Sequence, residues 1–68
     1  MNEEQVRFCF DKGYLLTHKP TGKIYRPIGI GKQKVNGQWQ ESLSYRPFNS
    51  IGLFTRPVND FANFSISA

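Results

Sequence analysis

The sequence contains little cysteine and no long apolar run, and each absence excludes a class of protein. A single cysteine, Cys9, among 68 residues leaves no partner for an intrachain disulfide and no cysteine pattern for zinc. No apolar stretch approaches the roughly 18 residues that span a membrane. Residues 1–4 also lack the charged start and apolar core of a secretion signal. We therefore expect a cytoplasmic protein with no membrane association.

Groups suited to catalysis are scarce as well. His18 is the single histidine, and no carboxylate stands at a readable spacing from it. Glu41 and Asp60 are the only acids after Asp11, so paired-carboxylate chemistry lacks its residues. The glycines at 29–31 are not followed by a helix pattern, which excludes a phosphate-binding loop. We expect no enzymatic activity, no metal and no cofactor.

Charge is unevenly distributed along the chain. The formal net charge is +4, yet the opening segment, residues 1–12, holds Glu3, Glu4 and Asp11. From Lys12 onward there are eight basic and two acidic residues, so residues 13–68 form a basic body. A basic body favours encounters with nucleic acid or with acidic protein surfaces. The same charge also serves simply to keep a small protein soluble.

The length and composition predict one domain, residues 1–68, with a modest core. Hydrophobic residues make up 38% of the chain and aromatic residues 15%, so a few large side chains must supply most of the buried area. Both a monomer and a homodimer are compatible with so small a core. The predicted core comprises Tyr14, Leu16, Ile24, Ile28, Ile30, Leu43, Tyr45, Leu53, Phe54, Val58, Phe61 and Phe64.

The dipeptide Asn36-Gly37 predicts a two-residue type I′ turn between two strands. This turn sets the register of the hairpin, because a slip by one residue would move every side chain to the other face. The register also predicts Pro27 opposite Arg46, and it places Tyr25 and Tyr45 on opposite faces. The pairs predicted on one face are Lys34 with Trp39 as a cation–π contact, Lys32 with Glu41 as a salt bridge, Ile30 with Leu43, and Ile28 with Tyr45.

The remaining segments complete a mainly β fold. Residues 2–12 read as a short helix capped by Asn2 and stopped at Gly13, or as a strand over Val6–Phe10; the caps favour the helix. Further strands are expected over 14–18, 23–34, 39–46, 51–55 and 63–67, with a 3₁₀ turn near 57–61. This order predicts a small SH3-like barrel or a strongly twisted antiparallel sheet of about five strands.

Three arginine–proline pairs recur, at residues 26–27, 46–47 and 56–57. In one interpretation, each proline ends or interrupts a strand and its arginine lies at the rim. In the other, the guanidinium groups gather near one end of the barrel, where they could hold phosphate or carboxylate.

The run from Leu43 to Phe61 resembles domain-of-unknown-function family 1653, which consists of small bacterial and phage domains. The family pattern is an aliphatic-Tyr-Arg strand, a polar turn, an aromatic residue, then Arg-Pro, an aliphatic residue and a phenylalanine. The resemblance implies a small SH3-like β fold and carries no known activity or ligand. The matching residues are Tyr45, Arg46, Phe54, Arg56, Pro57, Val58 and Phe61.

Together these features predict a non-catalytic module that binds another macromolecule. Tryptophan and arginine are the residue types most enriched at binding hot spots, and Trp39 is expected at a rim beside the turn. A protein partner is the first hypothesis. The alternative is nucleic-acid binding by the basic sheet, with aromatic side chains stacking on bases. The candidate binding residues are Trp39, Lys34, Lys32, Arg26, Arg46 and Arg56.

Overall fold

The computed structural model describes residues 1–67, which form one helix and a five-stranded antiparallel sheet. The spatial order of the strands is β4-β3-β2-β1-β5, so the last strand pairs with the first. This mainly β arrangement fits a small SH3-like fold and confirms the predicted class. The elements are α1 (Glu3–Lys12), β1 (Leu15–His18), β2 (Ile24–Val35), β3 (Gln38–Pro47), β4 (Phe54–Pro57) and β5 (Phe64–Ser67).

The N-terminal segment is a helix, as its caps predicted. The Asn2 side chain accepts a hydrogen bond from the Gln5 backbone N–H, and the Gln5 side chain accepts one from Asn2 N–H in return. Gly13 ends the helix in the left-handed conformation, with φ of 73°. The α-helical conformation of Glu3–Lys12 excludes the alternative strand over Val6–Phe10, and the helix buries its own Val6 and Cys9 in the core.

The hairpin between β2 and β3 has the predicted turn. Asn36 and Gly37 both take positive φ, 50° and 79°, as a type I′ turn requires. The predicted register holds from Val35 opposite Gln38 back to Gly29 opposite Ser44. Local turn chemistry therefore determines this part of the sheet.

Beyond Gly29 the predicted register is wrong, because a bulge at Ile28 shifts the pairing by one residue. Pro27 faces Tyr45, and Arg26 faces Arg46; the predicted pairs of Ile28 with Tyr45 and of Pro27 with Arg46 do not form. Pro27 has no N–H to donate to the ladder, and such positions are tolerated at bulges.

The bulge also brings two tyrosines together. Tyr25 and Tyr45 were predicted on opposite faces, but their rings pack edge to face with centroids 5.3 Å apart. They join Phe54, Phe61 and Phe64 in an aromatic cluster on the inner face of the sheet. The one-residue shift places Tyr25 on this face, since side chains alternate along a strand.

The core is confirmed in part. Ile24, Ile28, Leu53 and Phe54 were predicted to be buried, and each is at least 42% exposed. Ile28 leaves the core at the bulge, and Ile24 lies beside Thr17 on the outer face. Tyr14 and Ile30 are half-buried against the core. The buried residues are Val6, Cys9, Leu16, Leu43, Tyr45, Val58, Phe61 and Phe64, with Ser42.

Two tight turns connect β4 to β5 where a 3₁₀ turn was predicted. Asp60 N–H donates to Pro57 C=O at 2.9 Å, and Phe64 N–H donates to Phe61 C=O at 3.1 Å. These bonds span three residues, as in a 3₁₀ helix, but each closes a single turn. Val58 N–H donates to Glu41 C=O at 3.0 Å and holds the connection against β3.

Candidate functional site

The structure distributes the predicted binding residues over three places. Lys32, Lys34 and Trp39 form the first, the hairpin tip, where all three side chains are exposed. Trp39 is 68% exposed opposite Lys34, which confirms its predicted position at a rim. The predicted cation–π contact between Lys34 and Trp39 is not formed, and no cation of residues 1–67 lies over the Trp39 ring.

The predicted salt bridge between Lys32 and Glu41 is also absent, although the two residues face each other across the ladder. The Glu41 carboxylate instead accepts a hydrogen bond from Arg7 Nε of the helix at 2.7 Å. This bond, with the attraction of nearby carboxylates, raises the pKa of Arg7 above its ordinary value. Lys32 thus lies at the surface of the hairpin and forms no salt bridge within residues 1–67.

Arg56, the second place, lies on the inner face opposite Leu43 and uses its donors within the chain. Its Nε donates to the Tyr45 hydroxyl at 3.3 Å, and its Nη1 donates to the Asp60 backbone and carboxylate at 3.2 and 3.3 Å. The guanidinium also stacks over Phe64, 5.3 Å from the ring centroid. The hydrogen bond to Tyr45 is the main cause that raises the pKa of Arg56.

Arg26 and Arg46 form the third place, which we call the arginine pair. They stand directly opposite each other on the outer face of β2 and β3, and both are exposed. Neither makes a salt bridge with any acid among residues 1–67. The Arg26 guanidinium lies over the Phe48 ring, 5.5 Å from its centroid. The structure therefore joins two of the predicted arginines and leaves Arg56 on the other face.

A groove opens beside the arginine pair, between the β1–β2 turn and the β3–β4 connection. It has a volume of about 530 Å³. Lys23 is its charged lining residue, and its lining includes no acidic side chain from the described residues 1–67. Its apolar lining, which defines the groove below, consists of Ile24, Tyr25, Pro47, Phe48, Ile51 and Phe54.

The apolar side chains around this groove are unusually exposed. Ile51 is 98% exposed, and Phe48 and Phe54 are 46% and 48% exposed. Leu53, in the same connection, is 65% exposed. Because monomeric domains rarely expose large contiguous apolar patches, such patches mark binding sites. Sequence reasoning missed the groove because it assigned Ile24, Leu53 and Phe54 to the core; the signal available was apolar residues within a turn-forming, glycine-containing segment.

The remaining reactive side chains have internal partners. His18 is half-buried: its Nδ1 is 2.9 Å from the Thr21 hydroxyl, and its ring packs on Phe64. Cys9 is fully buried, and burial raises the pKa of its thiol. Its Sγ donates to Tyr14 C=O at 3.3 Å. Within residues 1–67, no three His, Cys, Asp or Glu side chains are grouped to hold a metal ion.

Comparisons with family models, curated proteins and solved structures found no match to this chain. The resemblance of residues 43–61 to family 1653 therefore stays a prediction. Over the part of the chain that the structure describes, no helix has the length and apolar character needed to cross a membrane.

Proposed function

We propose that this chain is a non-catalytic interaction module that binds an extended, apolar segment of a partner protein in the groove. The observation that carries the proposal is the exposure of Ile51, 98% of whose surface is open to solvent at the groove's edge. Burying the side chains of Ile51, Phe48 and Phe54 against a partner would contribute roughly 25 cal/mol for each Å² of apolar surface removed from water.

The groove supports this role better than the hairpin tip does. At the tip, Trp39 is flanked by Gln38 and Gln40 and faces Lys34, so its exposed surface is isolated. Single exposed hydrophobic residues are common on folded proteins. The groove instead combines several apolar side chains with a concave shape, which is the usual form of a binding site.

Selection from a random-peptide display library tests the proposal. We expect the protein to enrich peptides with apolar anchors. Ile51→Ser should abolish their binding because it removes an apolar contact in the groove, and it should spare the fold because Ile51 is exposed. Trp39→Ala is the matched control, since it removes an exposed apolar side chain at the tip of the β2–β3 hairpin, which does not line the groove. If no peptide is enriched, or if Trp39→Ala rather than Ile51→Ser removes binding, the groove is not the site.

Nucleic-acid binding is the second candidate, favoured by the arginine pair and Phe48 on the outer face of the sheet. Arginine can contact phosphate, and an exposed aromatic ring can stack on a base. Binding of a fluorescent single-stranded oligonucleotide should then weaken steeply as salt rises, because phosphate contacts release counterions. An oligonucleotide that does not bind even at low salt would eliminate this candidate. Both candidate functions are compatible with a cytoplasmic location and with a monomeric or dimeric state.

A further inference from the structure

The arginine pair places two positive charges next to each other in the ladder. Residues directly opposite in an antiparallel ladder have Cβ atoms about 4.5–5.5 Å apart, and like charges in that position are unfavourable. Arg26 and Arg46 occupy such a position with no acidic partner among residues 1–67. The acids that do form salt bridges there use other arginines: Glu3 and Glu41 contact Arg7, and Asp60 contacts Arg56. A bound anion would relieve the repulsion within the pair.

The arginine pair borders the groove through one shared residue. Phe48 belongs to both, because it lines the groove and carries the Arg26 guanidinium over its ring at 5.5 Å. Stacking holds a guanidinium by its face and leaves the N–H groups at its edge free to donate. A ligand in the groove that also carries a carboxylate could therefore reach the donors of Arg26 and Arg46 together.

We infer that the partner segment is acidic as well as apolar, with an aspartate or glutamate side chain bound by Arg26 and Arg46 beside apolar residues in the groove. This inference rests on the proposed function. Guanidinium groups bind carboxylates through paired, charge-assisted hydrogen bonds. Lys23 adds a further positive charge to the lining, which contains no Asp or Glu of residues 1–67 that would repel an acidic ligand.

Charge also argues against a second copy of this chain as the occupant. An interface between two copies related by a two-fold axis joins the same patch of both subunits. It would bring Lys23, Arg26 and Arg46 of one copy close to the same three residues of the other. Such like-charge contacts are costly at an interface, whereas an acidic segment meets the same charges favourably.

The apolar lining favours a protein segment over nucleic acid. The side chains of Ile24, Pro47 and Ile51 offer no donors to a sugar–phosphate backbone, but they can pack against aliphatic or aromatic side chains of a peptide. An apolar groove beside two guanidinium groups that form no salt bridge within residues 1–67 thus matches a peptide that carries both apolar and acidic side chains.

Parallel selections from one random-peptide display library test the inference. The wild-type protein and the double variant Arg26→Gln/Arg46→Gln are used as baits. We expect peptides enriched on the wild type to carry Asp or Glu at a constant distance from an apolar anchor, and we expect this acidic preference to vanish on the double variant. The most enriched peptide should bind the double variant about tenfold more weakly, as expected for losing a charge-assisted hydrogen bond.

Two controls separate the possible outcomes. Arg26→Lys/Arg46→Lys keeps the charge but loses the paired donors, so it should bind the peptide less tightly than the wild type and more tightly than the glutamine variant. Replacing the acidic residue of the peptide by its amide should remove the difference between wild type and variants. Circular dichroism confirms that each variant is folded.

The failure of this inference is distinguishable from the failure of the proposed function. Enriched peptides that need Ile51 but lack an acidic residue, or that bind the glutamine variant equally well, would overturn the inference alone. No enrichment on the wild type would overturn both. If the double variant loses oligonucleotide binding while peptide binding is unchanged, the arginine pair serves nucleic acid and the inference is wrong.

Discussion

At the scale of single residues, identical dipeptides acquire different roles from their surroundings. Arg46 and Arg56 each precede a proline, yet Arg46 is exposed on the outer face, while Arg56 donates to Tyr45 and Asp60 on the inner face. The strand register decides this difference, because alternate residues of a strand point to opposite faces. Composition alone assigns both arginines to one candidate surface.

The two arginines should therefore differ in their contribution to stability. Arg56→Gln removes hydrogen bonds that involve a charged group, and because the site is partly exposed we expect a loss of about 1 kcal/mol in the free energy of unfolding. Arg46→Gln should leave this free energy unchanged or slightly raise it, since it removes a like charge opposite Arg26. Urea denaturation followed by circular dichroism measures both. Equal losses for the two variants would contradict the assigned roles.

Cys9 gives a prediction about pH. Its ordinary pKa is 9.0, and burial raises this value in the folded protein. Above the unfolded-chain pKa, the unfolded state loses the thiol proton while the folded state keeps it, so the free energy of unfolding falls as pH increases. The contribution of the protonated Cys9 thiol to the free energy of unfolding should be complete below pH 9.0 and should be lost as pH rises through the pKa of the folded state.

Two measurements check the thiol. The unfolding free energy of the wild type should fall more steeply above the ordinary thiol pKa than that of Cys9→Ala, which lacks the titrating group. Labelling of Cys9 by a thiol reagent should be slow in the native state and fast in denaturant. Rapid native labelling would show that Cys9 is accessible, contrary to its burial.

At the scale of elements, short-range signals determine caps and turns, whereas pairing between distant strands determines the bulge. The Asn2 cap, the Gly13 stop and the Asn36-Gly37 turn depend on residues a few positions apart, and all three were predictable. The bulge at Ile28 was not predictable, because it depends on how β3 pairs with β2 where Pro27 has no N–H to donate. A ladder can accommodate a missing donor by an edge, a break or a bulge, and the sequence does not distinguish these.

The glycines of the β2–β3 hairpin provide a matched test of the turn. Gly37 has φ of +79°, so Gly37→Ala should cost about 1 kcal/mol by placing a side chain in the left-handed region. Gly31→Ala, in the same hairpin, has ordinary φ and no atom within 4 Å of the new Cβ, so we expect no loss. Thermal unfolding of both variants is the measurement. A loss at Gly31 as large as that at Gly37 would mean that turn geometry is not the cause.

At the scale of the whole molecule, the fold buries only part of the apolar surface and leaves the rest exposed to solvent. The helix packs Val6 and Cys9 onto the sheet, and the two turns after β4 bring Phe61 into the same core. No helix or strand among the described residues covers the β3–β4 connection, so Ile51 and Leu53 remain in solvent. A domain of this size has few buried side chains, which makes each central one important.

Core and connection should therefore respond differently to truncation. Phe61 is fully buried and contacts Tyr45 and Phe64, so Phe61→Ala should cost about 3–5 kcal/mol and unfold much of the population. Leu53→Ala removes a side chain that is 65% exposed and should change the free energy of unfolding by less than about 0.5 kcal/mol. Dispersion of amide signals in an NMR spectrum reports folding. A large loss at Leu53 would show that the connection belongs to the core.

The sequence by itself determined the mainly β class, the capped helix and the hairpin turn, because backbone dihedral preferences and capping hydrogen bonds act over a few neighbouring residues. It could name Arg26 and Arg46 as candidates but could not bring them together. Only the tertiary structure decided that they face each other, that Arg56 and Glu41 are occupied by internal partners, and that Ile51 lines an open groove. These features depend on strand register and on which face each covering element reaches, and both are set by contacts between residues distant in the chain.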